Sequence, residues 1–118
     1  MPLSHERLDV YQRALEIAVW SHELLDALPP GLSARSQLER ASTSIPLNIA
    51  ESNGKLTEGD RARFLQIALA SALECSATLD VLTAKGVLDD SRVEEGKSLL
   101  ERIAAMIMAM LRKLGRTL

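Results

Sequence analysis

Toward the end of this sequence Val93, Gly96, Leu100, Ile103, Ile107, Met110 and Leu114 recur at intervals of three and four without a break. A strand cannot use that spacing, because its side chains alternate between faces with a period of two. On an α-helix it forms one continuous heptad seam, which an isolated helix has no means to bury. The chain must therefore supply helices to pack against this one.

Three further segments meet that demand. From about Leu8 to Leu28 the residues Tyr11, Ala14, Ala18, Ser21, Leu25 and Leu28 form an amphipathic stripe, ended by Pro29-Pro30-Gly31. Ser33 is the expected N-cap of a second helix, Ala34 to Ser52, before Asn53-Gly54 breaks the chain. Thr57, with Asp60 three residues on, is expected to cap a third helix reaching Lys85, with Leu65, Ala68, Leu69, Ala72, Leu73, Ser76 and Leu79 inside. Gly86 suits the left-handed position that closes it. Asp89, Asp90 or Ser91 is the cap of the fourth helix, and Ser91 with Glu94 would form a capping box. Short connections between four such helices predict an all-α, antiparallel up-down four-helix bundle, one domain over residues 1–118.

The second helix carries an internal proline. Pro46 has no N–H for the carbonyl of Ser42, and its ring crowds that carbonyl, so a kink is expected, with nearby hydroxyls, the Asn48 amide or a water satisfying the freed acceptor.

Composition narrows the function classes. Hydrophobic residues make up 47% of the chain, yet Tyr11, Trp20 and Phe64 are its only aromatics, so the core is aliphatic and helix-compatible. Fourteen basic against sixteen acidic residues leave a net charge of −2, which argues against nucleic-acid binding driven by bulk charge but leaves room for a local patch. The N-terminus lacks the pattern of a signal peptide, and the longest apolar run, Ile103 to Leu111, is nine residues against the ~20 of a membrane span. A cytoplasmic location is the expectation. That same run is apolar on every side, so Met106 and Met108, with Ala105 or Ala109 and with Trp20 from the first helix, are the candidates for contact with another subunit.

A resemblance enters once the middle helices are placed. Gln37-Leu38-Glu39-Arg40-Ala41, Ser44-Ile45-Pro46-Leu47-Asn48-Ile49-Ala50-Glu51, Arg63-Phe64-Leu65-Gln66-Ile67-Ala68 and Ser71-x-x-Glu74 are similar to the four-helix-bundle proteins encoded in intervening sequences of bacterial 23S ribosomal RNA, as is the opening Leu8-Asp9-Val10-Tyr11-Gln12-Arg13-Ala14. The resemblance implies a bundle assembling into a closed ring, commonly a pentamer. A relative in diversity-generating retroelements, the accessory variability determinant, forms a basic barrel that binds nucleic acid and a reverse transcriptase. The resemblance implies no catalytic activity. Glu39 stands here where the family often has a second basic residue, and Ser52 where a glycine is usual.

The polar residues that the resemblance singles out have two readings. Ser44, Asn48, Glu51, Ser71 and Glu74, with Arg40 and Arg63, either form a ligand site or a buried network fixing helix register, in which Arg40 or Arg63 would pair with Glu51 or Glu74. The structural network is the favoured reading. Arg35, Arg40, Lys55, Arg61 and Arg63 are read as gathered around the loop between the second and third helices, and Arg112, Lys113 and Arg116 crowd the C-terminus. Either group could grip phosphates, although basic residues ending a helix also complement its dipole.

Other chemistry finds little support. His5-Glu6-x-x-Asp9 and His22-Glu23-x-x-Asp26 have aspartate where a zinc helix needs its second histidine, and Gly54-Lys55 lacks the flanking residues of a phosphate loop. Cys75, mid-helix among apolar neighbours, reads as a core residue. No metal and no cofactor is expected. The sequence thus points to a non-enzymatic, self-associating helical scaffold with structured RNA or DNA as partner, or alternatively to a protein-binding scaffold without a nucleic-acid role.

Overall fold

Four α-helices account for most of the chain in the computed structural model, which describes residues 3–116. They are α1 (Asp9–Leu24), α2 (Ser33–Gly54), α3 (Glu58–Ala84) and α4 (Asp90–Lys113), with 3-10 turns at Ser4–Arg7 and Leu25–Ala27 and no strand among the described residues. The principal packing runs α1 on α2, α2 on α3, α3 on α4 and α4 back on α1, so the helices close a square.

Local chemistry fixes where the helices begin and end. Thr57 Oγ1 accepts from the Asp60 amide at 3.1 Å, and Asp89 Oδ1 accepts from the Arg92 amide at 2.9 Å, each satisfying an amide that the first turn leaves without a partner. At the other end of α3, Gly86 takes φ +76° while its N–H donates to the Thr83 carbonyl and that of Val87 to the Leu82 carbonyl. Gly115, at φ +77°, closes α4 in the same way, with Arg116 N–H on the Leu111 carbonyl. Ser33 is the first residue of α2 rather than its cap, which falls on Leu32 with no side-chain bond. Nor does Ser91 cap α4; its hydroxyl donates to Asp89 at 2.6 Å and steadies the residue that does.

The core is aliphatic. Ile17, Leu24, Leu38, Ile45, Ile49, Leu65, Leu79, Leu82, Ile103, Ile107 and Leu111 are almost wholly buried, each stabilising the fold by roughly 1.5–3 kcal/mol relative to exposure. The α4 seam packs as its spacing requires until the last turn, where Leu111 goes inside and Met110 stays half-buried. In α1 the buried row is Val10, Ala14, Ile17, Ser21 and Leu24; Tyr11, Ala18 and Leu25 lie half-buried beside it. The expected and observed stripes share Ala14 and Ser21, and the flank with the bulkier aliphatic side chains, Val10, Ile17 and Leu24, turns inward. On α3, Leu73 is 59% exposed rather than internal, and Cys75 and Leu82 take the inner row instead.

Pro46 lies buried within a continuous α2. The hydroxyls of Ser42 and Thr43 both donate back to the Glu39 carbonyl, at 3.2 and 2.8 Å. Contrary to expectation, the Asn48 amide donates not to the Ser42 carbonyl but to the Ser44 carbonyl, at 2.8 Å.

Where α1 meets α4, the indole of Trp20 lies flat against Gly96. A Cβ built on that glycine would fall on the Trp20 ring, 2.7 Å from Cε3 and nearer still to Cζ3 and Cη2. The seam therefore holds glycine because a large ring occupies the space of its missing side chain. The surplus of apolar surface lies on α3 as well as α4. By length and composition α3 is apolar enough to cross a membrane, and one third of that stretch is buried here.

Candidate functional site

One end of the bundle gathers basic residues from distant parts of the sequence. Lys55 follows α2, with Nζ 3.4 Å from Glu51 and 4.8 Å from the centre of the Phe64 ring. Arg63 approaches the same ring at 4.5 Å. Their ammonium and guanidinium groups share one aromatic surface, a cation–π arrangement that holds two charges close together. Arg61 donates through Nε to the Lys55 carbonyl at 2.8 Å, and its own carbonyl accepts from Ser52 Oγ at 2.8 Å, which ties the loop between α2 and α3 to both helix ends.

The C-terminal basic group arrives at the same place. Arg116 lies 3.6 Å from where a Cβ of Gly59 would stand, at the start of α3. Lys113 and Arg61 share the wall of a cavity of about 510 Å³ whose apolar lining includes Leu8, Val10, Leu65, Met106 and Met110. The turn Ser4–Arg7 joins this end through the Asn53 amide, which donates to Ser4 Oγ at 2.6 Å. Two basic groups separated by some fifty residues of sequence form one surface.

Arg35 and Arg40 do not belong to it. Arg35 sits in the first turn of α2, about 30 Å from Lys55 at 1.5 Å per residue, and donates to the carbonyls of Leu25 and Leu28, the latter at 2.8 Å. Its charge sits on the 3-10 turn that follows α1, Leu25–Ala27, and on the Leu28 carbonyl that closes it, where the exposed ends of carbonyl dipoles favour a cation. No spacing rule finds such a contact, because it links the first turn of α2 back across the connection to the 3-10 turn that follows α1. Arg40 is exposed in the first half of α2, with no ion pair among the described residues.

The polar network is smaller than the sequence suggests. Ser71 Oγ donates to Ser44 Oγ at 2.8 Å, and Asn48 Nδ2 donates to the same oxygen at 2.9 Å, linking α3 to α2 through half-buried groups. Glu51 and Glu74 stand outside it on the exposed surface, and the expected pairing of either with Arg40 or Arg63 does not form among the described residues. Glu51 pairs with Lys55 one turn on instead. Long charged side chains at the edge of a two-helix seam reach water at little cost, so burial selects only the short polar groups.

Trp20, Met106 and Met108 are all half-buried, and Ala105 and Ala109 are exposed. They do not share one patch: Trp20 covers Gly96, whereas Met106 lines the cavity at the basic end. His22 stands 3.6 Å from Glu39 on α2. Among the described residues no cluster of three His, Cys, Asp or Glu side chains is placed to hold a metal. Burial, and secondarily the charge of Glu74, push the Cys75 thiol up to about 12, leaving it without nucleophilic character at neutral pH.

Together these features define an all-helical protein of four packed helices with a basic end and an aliphatic core. The chain belongs to the 23S rRNA-intervening sequence protein family, whose model matches residues 6–109. It is similar to the crystal structure of a protein of unknown function from the S23 ribosomal protein family of Bacteroides thetaiotaomicron VPI-5482, with a TM-score of 0.81 and 25% identity over 86% of this chain and 97% of that one. No curated protein matches it.

Proposed function

We propose that the protein is a non-enzymatic, cytoplasmic scaffold, an up-down antiparallel bundle bent at Pro46, that assembles into a ring, pentameric in the reading the family resemblance suggests, and binds structured RNA or DNA. The observation that carries the nucleic-acid reading is the convergence of Lys55, Arg61 and Arg63 with Lys113 and Arg116 at one end of a molecule whose net charge is −2. Repetition of that end around a ring multiplies a weak phosphate-binding patch. The connections before α3 and α4, residues 55–57 and 85–89, are short enough for antiparallel neighbours.

Filter retention of an RNA hairpin and of duplex DNA tests this reading. Retention is expected at low salt, falling steeply between about 50 and 200 mM and weakened by Arg61→Glu or Lys113→Glu. Absence of retention at low salt would refute it. A second reading, a scaffold for a protein partner, is favoured by the acidic balance of the chain, and co-purification of one protein that survives high salt would support it.

A further inference from the structure

The cavity at the basic end belongs to no single pair of helices. Val10 reaches it from α1, Ser52 and Asn53 from α2, Leu65 from α3, and Met106 and Met110 from α4. Val10 and Leu65 are core residues, 3% and 1% exposed, so its floor is the hydrophobic interior of the bundle. Its volume of about 510 Å³ falls within the ~300–1,000 Å³ of small-molecule sites, which bundles form between their helices.

The chemistry of the wall narrows what fits. Ser52 Oγ already donates to the Arg61 carbonyl and Asn53 Nδ2 to Ser4 Oγ, so water inside gains few hydrogen bonds and an apolar occupant displaces it readily. No aromatic side chain lines the cavity among the described residues, and the unbranched methionines adapt to a flexible alkyl chain. The rim is cationic. Nε of Arg61 is fixed by the Lys55 carbonyl, which leaves its two terminal nitrogens without a partner among the described residues, and Lys113 has no ion pair among them. Asp9, the acidic residue of the wall, lies 3.9 Å from both Arg13 and Arg102, which offset its charge.

We propose that this cavity binds a medium-chain fatty carboxylate, its alkyl tail against Leu65, Met106 and Met110 and its carboxylate between Arg61 and Lys113. A guanidinium grips a carboxylate through two parallel hydrogen bonds, and the ammonium adds a second charge. The site shares these cations with the nucleic-acid reading but does not depend on it. Burial of the tail drives binding and survives salt that strips phosphate contacts.

Isothermal titration calorimetry of the full chain with decanoate tests the assignment. One site per chain is expected, and each methylene removed from the probe is expected to weaken binding about fourfold, the effect of one buried CH2. That dependence on tail length is expected to persist at high salt. Decylammonium, with the same tail and the opposite charge, is expected to bind about tenfold more weakly, as is decanoate to Lys113→Glu. Met106→Trp fills the cavity and is expected to abolish binding while circular dichroism stays helical. Lys113 is exposed in the last turn of α4, so Lys113→Glu carries the test even where the cavity variant loses its fold. No saturable heat with decanoate, or equal affinity for decylammonium, would overturn the proposal. Binding unchanged in both Lys113→Glu and Met106→Trp would put the ligand elsewhere and overturn it too. RNA retention is measured separately, so either reading can fail without the other.

Discussion

Replacing Gly96 by alanine adds a single methyl group where the structure has room for none. The new Cβ would lie 2.7 Å from Trp20 Cε3 and closer still to the outer ring atoms, well inside van der Waals contact. Either the indole swings off α4 and loses its packing or the two helices separate, and overpacking of this kind costs about 1–3 kcal/mol. Against that, alanine is favoured over glycine within a helix by about 1 kcal/mol. The net expectation is a loss of about 1 kcal/mol, a drop in Tm of roughly 3–6 °C for a chain of this length. The diagnostic comparison uses a Trp20→Ala background, where the ring is gone and only helix propensity remains. There Gly96→Ala is expected to stabilise by about 1 kcal/mol, so the substitution changes sign. Urea denaturation followed by circular dichroism reads all four members of the cycle. If Gly96→Ala has the same sign and size in both backgrounds, Trp20 and Gly96 are not coupled and the register assigned to α1 and α4 is wrong.

Other regions give further expectations. Arg35→Met, which keeps much of the stem but removes the donors to Leu25 and Leu28, is expected to lower stability by about 1–2 kcal/mol in the same denaturation assay, although the side chain reaches the surface. Asp89 carries a pKa lowered from 3.8 by the Ser91 hydroxyl and then by the Arg92 amide. A folded-state value below the unfolded one stabilises at pH above the unfolded value and loses that contribution as pH falls through the lower one; Asp89→Asn should flatten this acid limb of the stability curve. Cys75 is expected to resist a thiol reagent such as dithionitrobenzoate at pH 8 in the native protein and to react fully in denaturant, and rapid native labelling would contradict its buried position.

The helices themselves were legible because apolar spacing and end signals agree. Thr57 with Asp60, Gly86 and Asp89 act where the sequence places them, since caps are local and depend only on the adjacent turn. Which flank turns inward was less legible. In α1 the rows through Val10 and Tyr11 differ by one residue, and only the neighbouring helices decide between them. The contact of Trp20 with Gly96 left one trace in the sequence, a glycine inside an otherwise bulky seam, but identifying its partner requires the relative register of two helices seventy-odd residues apart. Lys55, Arg61 and Arg63 were readable as a group for the same local reason as the caps. Their union with Lys113 and Arg116 was not, because it arises from the return of α4 to the start of α3. Charged side chains misled most: Arg35 serves a helix end, while Glu51 and Glu74 remain in solvent.

Multi-angle light scattering on the purified chain at micromolar concentration tests self-association most directly. A mass several times the 12.9 kDa of one chain, unchanged on modest dilution, is the predicted result. A homogeneous species of one chain mass would contradict the account.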